Sequence, residues 1–251
     1  MPELNRVLIV TGASRGIGAA TARLAGAAGY SVCVNYHRNR GAAERVVADV
    51  EASGARAIAV EADVSVEDDV VRLFETADRA FGSLYGLVNN AGILETQARL
   101  ETFDAARLHR VFATNVVGAF LCAREAVRRL STGAGGTGGA IVNVSSMAAR
   151  LGSAGEYIDY AASKGAIDTL TIGLAREVAD DGIRVNAVRP GLTHTDIHAS
   201  GGEPNRVARL EGTVPMKRGA QPEEVARAIL WLLSDEASYT TGAIVDVTGG
   251  K

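Results

Sequence analysis

The chain has 251 residues, of which 47% are hydrophobic and 22% charged, ordinary values for a folded α/β protein. A formal net charge of −3 implies no strongly basic face and argues against nucleic acid or a membrane as partner. Two isolated cysteines, Cys33 and Cys122, lie in apolar segments and read as small buried residues in a reducing compartment, not as a disulfide framework. Residues 1–10 lack a basic region ahead of a long apolar stretch, and no later run nears the roughly 18 apolar residues of a membrane span, so the expected location is cytoplasmic.

The first strand is predicted over 7–10. It runs into Thr11, Gly12, Ala13, Ser14, Arg15, Gly16, Ile17 and Gly18, and then into a helix over 17–28. Glycines in such a turn let the backbone bend sharply and approach a phosphate. The helix start then offers free N–H groups and a positive dipole end to a pyrophosphate. The spacing is G-x-x-x-G-x-G, and the strand before and helix after favour a dinucleotide over a bare turn.

The second strand, 31–36, should carry the cofactor choice near its end. An acidic residue there suits the ribose of NAD, a basic one the 2′-phosphate of NADP. The segment reads Asn35, Tyr36, His37, Arg38, Asn39, Arg40, with no Asp or Glu between Tyr30 and Ala43. Arg15 and Arg38 could grip one phosphate from two sides. NADP(H) is therefore expected over NAD(H), with NAD(H) left open.

Further along, helices are predicted over 41–53 and 66–81, with strands at 57–61 and 84–89. A long helix follows over 104–130. The Gly-rich stretch 131–139 reads as a flexible surface loop. A strand over 140–144 ends in Ser145 and Ser146, either of which could hold a substrate carbonyl. The helix over 156–179 places Tyr160 and Lys164 at i and i+4, one turn apart on one face. A phenol titrates near pH 10, and a neighbouring ammonium is expected to lower that. The chain has only three lysines, 164, 217 and 251, and six tyrosines, so the pairing stands out. Strands at 183–188 and 243–247 flank a helix over 222–234. The stretch 192–220 breaks the alternation and is expected to be a lid over the substrate.

Strands and helices in strict alternation predict one doubly wound α/β (Rossmann) domain over 1–251, a seven-stranded parallel sheet with helices on both faces. With these residues placed, the chain resembles the classical short-chain dehydrogenase/reductase family along essentially its whole length. The resemblance rests on Thr11 to Gly18, on Ala62-Asp63-Val64 and on Asn89-Asn90-Ala91-Gly92. Asn115, Ser146, Tyr160 with Lys164, Asn186 and Pro190-Gly191 complete it.

The resemblance implies hydride exchange between a nicotinamide and a carbonyl or alcohol carbon. Tyr160 would be the acid/base, and Ser146 would orient the reacting oxygen. Lys164 would bind the nicotinamide ribose, and Asn115 would hold a relay water through its carbonyl. Asp63 and Val64 would hold the adenine; Asn90, Ala91 and Gly92 would line the cofactor. Pro190, Gly191, Leu192 and Thr195 would pack on the nicotinamide. Ser146 lies 14 residues before Tyr160, one more than is usual in the family. A 3-oxoacyl or small-ketone reductase is the leading expectation, and oxidative sugar or alcohol dehydrogenases are the alternative. Intact Ser146, Tyr160 and Lys164 argue against a dinucleotide-binding sensor. Arg150, Arg189, Arg206, Arg209, Lys217 and Arg218 are candidates for docking an acidic carrier protein. No metal is expected, and a homotetramer or homodimer is.

Overall fold

Strands rich in Val and Ile that read as apolar on both faces need helices above and below them. The computed structural model, which describes residues 6–251, gives them that. β1 (Val7–Val10), β2 (Ser31–Tyr36), β3 (Ala57–Glu61), β4 (Leu84–Asn89), β5 (Gly139–Val144), β6 (Ile183–Pro190) and β7 (Ile244–Val247) form one sheet. Its order is β3-β2-β1-β4-β5-β6-β7, and every neighbouring pair is parallel.

The residues of β1 divide between the two faces by the period of two. Leu8 and Val10 join one core cluster with α1 (Gly16–Ala27) and α2 (Arg40–Ala52); Val7 and Ile9 join the other with α3 (Glu67–Phe81). The acidic first turn of α3, Glu67 to Asp69, matches its helix dipole. Fully buried side chains such as Phe74 and Leu87 each contribute about 1.5–3 kcal/mol.

The predicted helix over 104–130 is not continuous. It is α4 (Ala105–Phe112), a π-helical turn at Ala113–Val117 and α5 (Gly118–Leu130). After β5 come a short α6 (Ala148–Leu151) and the long α7 (Ile158–Glu177). The stretch 192–220 holds two short helices, α8 (Ile197–Ser200) and α9 (Arg206–Leu210). α10 (Pro222–Leu233) opens with a proline at its start and a Gln221/Glu224 capping box. It packs with α1 and α2 on the first face, while α5 and α7 lie with α3 on the second.

The Gly-rich stretch before β5 is not an open loop. Ser131 Oγ donates to Asp181 at 2.6 Å, and the backbone of Gly138 bonds Leu130 at 2.8 Å. Gly139 has φ +155, and a Cβ there would lie 2.2 Å from the Tyr85 carbonyl oxygen. Gly139→Ala is therefore expected to cost on the order of 3 kcal/mol, read as a lower urea midpoint with unchanged slope. An unchanged midpoint would mean the strand end yields easily.

The strand connections change direction between β1 and β4, which opens a crevice at the carboxyl ends of the strands.

Candidate active site

The glycine turn is braced from below. Thr11 Oγ1 accepts from the backbone N–H groups of Asn90 and Ala91, both at 3.0 Å. Asn90 Nδ2 donates to the carbonyls of Thr11 at 2.8 Å and Gly12 at 3.1 Å. Gly12 sits at φ +61, and a Cβ on it would come 2.9 Å from Ala91 Cα. On Gly18 a Cβ would lie 2.5 Å from Asn90 Nδ2. Arg15 precedes α1 and makes no side-chain cap, and no acid stands in the first turn. The leading N–H groups from Gly16 to Gly18 thus form an anion-binding helix end. The residues present fit a dinucleotide pyrophosphate.

Asn35 was expected to face the cofactor; the structure buries it instead. Its Oδ1 accepts from Gly12 N–H at 3.1 Å, and its Nδ2 donates to Ala62 O at 3.0 Å, tying the glycine turn to the end of β3. Tyr36 is also buried, its hydroxyl 3.4 Å from Glu61. His37 and Arg38 are exposed beyond them, and His37 lies 3.5 Å from Asp63. The other oxygen of Asp63 accepts from Ser65 N–H and Oγ. Val64 is buried, where a Cβ on Gly118 would meet its Cγ2 at 2.7 Å.

On the far side of the crevice, two consecutive serines point in different directions. Ser145 is buried and donates to the Lys164 carbonyl at 3.2 Å. Ser146 Oγ accepts from Ala148 N–H at 3.1 Å, and it is Ser146 that draws the Tyr160 phenol down against the effect of burial. Ser146 is thus the serine brought to Tyr160. Between Ser146 and Tyr160 the chain turns with Gly152, Ser153 and Gly155 all at positive φ.

Lys164 is buried, donates to Val144 O at 2.7 Å and lies 5.6 Å from the Tyr160 ring centre. Asn115 stands in the π turn, where Oδ1 accepts from Ile93 N–H at 2.8 Å and Nδ2 donates to Ser163 at 3.1 Å. A Cβ on Gly92 would reach Asn115 Oδ1 at 3.4 Å and Lys164 Nζ at 3.6 Å, so these three residues converge.

Burial overturns one expectation in the protein by itself. The phenol of Tyr160 is pushed up, not down, with the Ser146 hydrogen bond working against the rise. Burial also pushes the Lys164 ammonium down to about 8, and Asp168 opposes that fall.

The stretch 192–220 lies across the crevice. Gly191 N–H donates to Val247 O at 2.9 Å, and the carbonyl of Leu192 accepts from Ala220 at 2.8 Å. Thr195 Cγ2 would be 3.3 Å from a Cβ on Gly16, and Arg15 reaches Ser200 at 3.3 Å. The Tyr157 hydroxyl donates to Gly201 O at 3.1 Å. His198, inside the predicted lid, turns its Nε2 to Thr193 O at 2.9 Å. Sequence reasoning gave no role to Leu94 or Gly201, yet a Cβ on Gly201 would meet Leu94 at 2.7 Å. Both lie outside any motif.

A family profile described as "Enoyl-(Acyl carrier protein) reductase" matches residues 12–251. The chain is 58% identical to "Uncharacterized oxidoreductase YgfF" of Escherichia coli (strain K12), over 98% of this chain and 99% of that protein. The chain belongs to the short-chain dehydrogenase/reductase family. It is also 44% identical to the cis-4-hydroxycyclohexanecarboxylate dehydrogenase of Sinomonas cyclohexanicum, over 98% and 96% of the two chains. A crystal structure of a short-chain dehydrogenase/reductase from Burkholderia xenovorans superposes with a TM-score of 0.88 at 33% identity, covering 98% of each chain. Like other short-chain dehydrogenases/reductases, the protein is an oxidoreductase acting on alcohols or ketones, and the family uses NAD(H) or NADP(H).

Proposed function

We propose that this chain is an NADP(H)-dependent oxidoreductase that interconverts a small ketone and its secondary alcohol, with Tyr160 as acid/base. The observation that carries the reading is Tyr160 one helical turn before buried Lys164, whose Nζ lies 5.6 Å from the Tyr160 ring centre, set across the crevice from the glycine turn. In reduction, Tyr160 gives its phenolic proton to the carbonyl oxygen; in oxidation, it takes the hydroxyl proton. Ser146 donates a hydrogen bond to that same oxygen and fixes its position. Bound nicotinamide supplies the hydride in one direction and accepts it in the other. Lys164 favours the phenolate by its charge, and the carbonyl of Asn115 holds the water that links Lys164 to solvent.

The cofactor choice is supported by charge. Arg15 and Arg38 are exposed, and among the described residues neither is paired with a carboxylate. Other arginines near the mouth are neutralised. Arg150 pairs with Asp246 at 2.8 Å, Arg189 with Asp168 at 2.9 Å, and Arg218 with Glu224 at 2.6 Å. Arg206 pairs with Glu156 at 2.5 Å, Arg209 pairs with Glu203, and Lys217 Nζ is on Gly212 O at 2.9 Å. An acidic carrier protein meets few free cations there, so the substrate is taken to be a free small molecule.

One domain over 1–251, a cytoplasmic location and a homotetramer belong to the same proposal. Phe112, Val117, Phe120 and Ile172 are exposed on the outer faces of α4, the π turn, α5 and α7, which suits burial against a second copy. Among the described residues no helix is long and apolar enough to cross a membrane.

The test is binding of NADPH and NADH followed by nicotinamide fluorescence. NADPH should bind more tightly, and Arg38→Ala should weaken it about 10- to 100-fold, the worth of one charge-assisted hydrogen bond, with NADH little changed. Tighter NADH binding to the unmodified protein would overturn the cofactor assignment. Turnover is then sought with NADPH and 4-oxocyclohexanecarboxylate, the ketone corresponding to the Sinomonas relative's named alcohol.

A further inference from the structure

A row of charges lies behind the reactive pair and takes no part in the reaction as written. Asp168 stands one turn after Lys164 on the same face of α7. Its side chain is 13% exposed. Oδ2 accepts from Arg189 Nε at 3.0 Å and Nη2 at 2.9 Å. Oδ1 is buried and has no hydrogen-bond partner among the described residues. Arg189, the residue before Pro190-Gly191, also pairs with Asp246 of β7 at 3.3 Å. Asp246 takes Arg150 of α6 at 2.8 Å. The row therefore links α7, which carries Tyr160 and Lys164, to the ends of β6 and β7 and to the helix after Ser146.

We propose that Asp168, held by Arg189, is a positioning residue for the hydride-transfer reaction and acts on Tyr160 through Lys164. This rests on the roles given to Tyr160 and Lys164 above. A buried carboxylate oxygen without a donor is costly, and apolar packing would serve the helix better. The charge is explained if it acts on something nearby. Lys164 is the nearest cation on the helix, and among the described residues its ammonium donates only to the Val144 carbonyl.

The groups around Lys164 are few. α7 contributes Tyr160 and Asp168. The π turn contributes Asn115 and β5 the Val144 carbonyl, neither of which titrates. Arg189 of β6 reaches Lys164 by way of Asp168, with Asp246 and Arg150 further out. Burial pushes the Lys164 ammonium down to about 8, and the Asp168 carboxylate one turn on opposes that fall. A neutral Lys164 could no longer favour the Tyr160 phenolate.

The lysine count makes this measurable in the free protein. Lys217 and Lys251 are exposed, so protein labelled with ¹³Cε-lysine gives one buried signal and two exposed ones. Lys164→Arg assigns the buried signal. In the unmodified protein its midpoint should fall at about 8. Asp168→Asn should lower that midpoint by about one unit. Arg189→Gln should raise it, because the carboxylate then acts unopposed. Asp246→Asn should leave it in place.

With NADPH and 4-oxocyclohexanecarboxylate, the alkaline limb of kcat/KM should move in the same sense as the lysine midpoint. An unmoved midpoint in folded Asp168→Asn overturns the proposal, as does a limb that stays put while the midpoint shifts. If Asp168→Asn does not fold, a midpoint that fails to rise in Arg189→Gln overturns it equally. Absence of ketone turnover would count against the proposed function, while the titration still decides whether Asp168 governs Lys164.

Discussion

Tyr160→Phe is expected to lower kcat by about 10³-fold while changing the NADPH dissociation constant less than about threefold, in line with the 10²–10⁴ supplied by a positioned general acid. The ring stays, so packing on α7 and the 5.6 Å approach of Lys164 are kept. What is lost is the phenolic hydroxyl that Ser146 draws down and the proton it carries. The pH dependence follows from the same burial. With the phenol pushed up, Tyr160 is protonated through neutral pH. Reduction, which needs the acid, should then be flat across pH 6–8 and fall only in alkali. Oxidation, which needs the phenolate, should rise with pH over the same interval. Rates in both directions read by nicotinamide absorbance decide this. A Phe variant that keeps more than about a tenth of the turnover would remove Tyr160 from the chemistry.

The sheet was legible because its strands, apart from the edge strands β3 and β7, are buried on both faces, so apolar runs such as β2 and β6 had few alternatives. The crevice was legible in part. The glycine turn announces itself by composition, and Tyr160 with Lys164 by spacing. Which way a side chain turns was harder to read. Asn35 and Arg38 are three residues apart, yet one braces Gly12 from inside and the other stands in solvent. Ser145 and Ser146 differ only by the pleat that sends one toward α7 and the other toward the crevice.

Helical periodicity ran through residues 104–130 without a break, because a π turn adds its extra residue without a Pro or Gly to mark it. Glycines at 131–139 look alike whether they loosen a loop or let two backbones touch; the 2.2 Å at Gly139 identifies the second. Charge partners were out of reach of a local reading. Arg189 and Asp168 are 21 residues apart, and Arg107 and Asp159 are 52 apart.

That last pair should have the largest effect on stability. Arg107 of α4 and Asp159 of α7 have side chains 10% and 1% exposed, with Nε–Oδ2 at 2.7 Å and Nη2–Oδ1 at 3.2 Å. The guanidinium also donates to Thr96 O at 2.7 Å and lies 3.9 Å over the Phe103 ring. Asp159 accepts from the Tyr160 N–H at 2.9 Å. Removing either partner leaves the other charge buried and unmatched. Arg107→Ala or Asp159→Ala should therefore cost about 3–5 kcal/mol, which lowers Tm by about 10 °C in a chain of this size. Replacing both, as Arg107→Met with Asp159→Leu, should restore most of that loss, since two apolar groups leave no stranded charge. If each single variant melts within about 3 °C of the unmodified protein, solvent reaches the pair and it does little for the fold. If the double variant recovers stability but not turnover, the pair serves chiefly to hold the first turn of α7, and with it Tyr160, against the loop that carries Thr96.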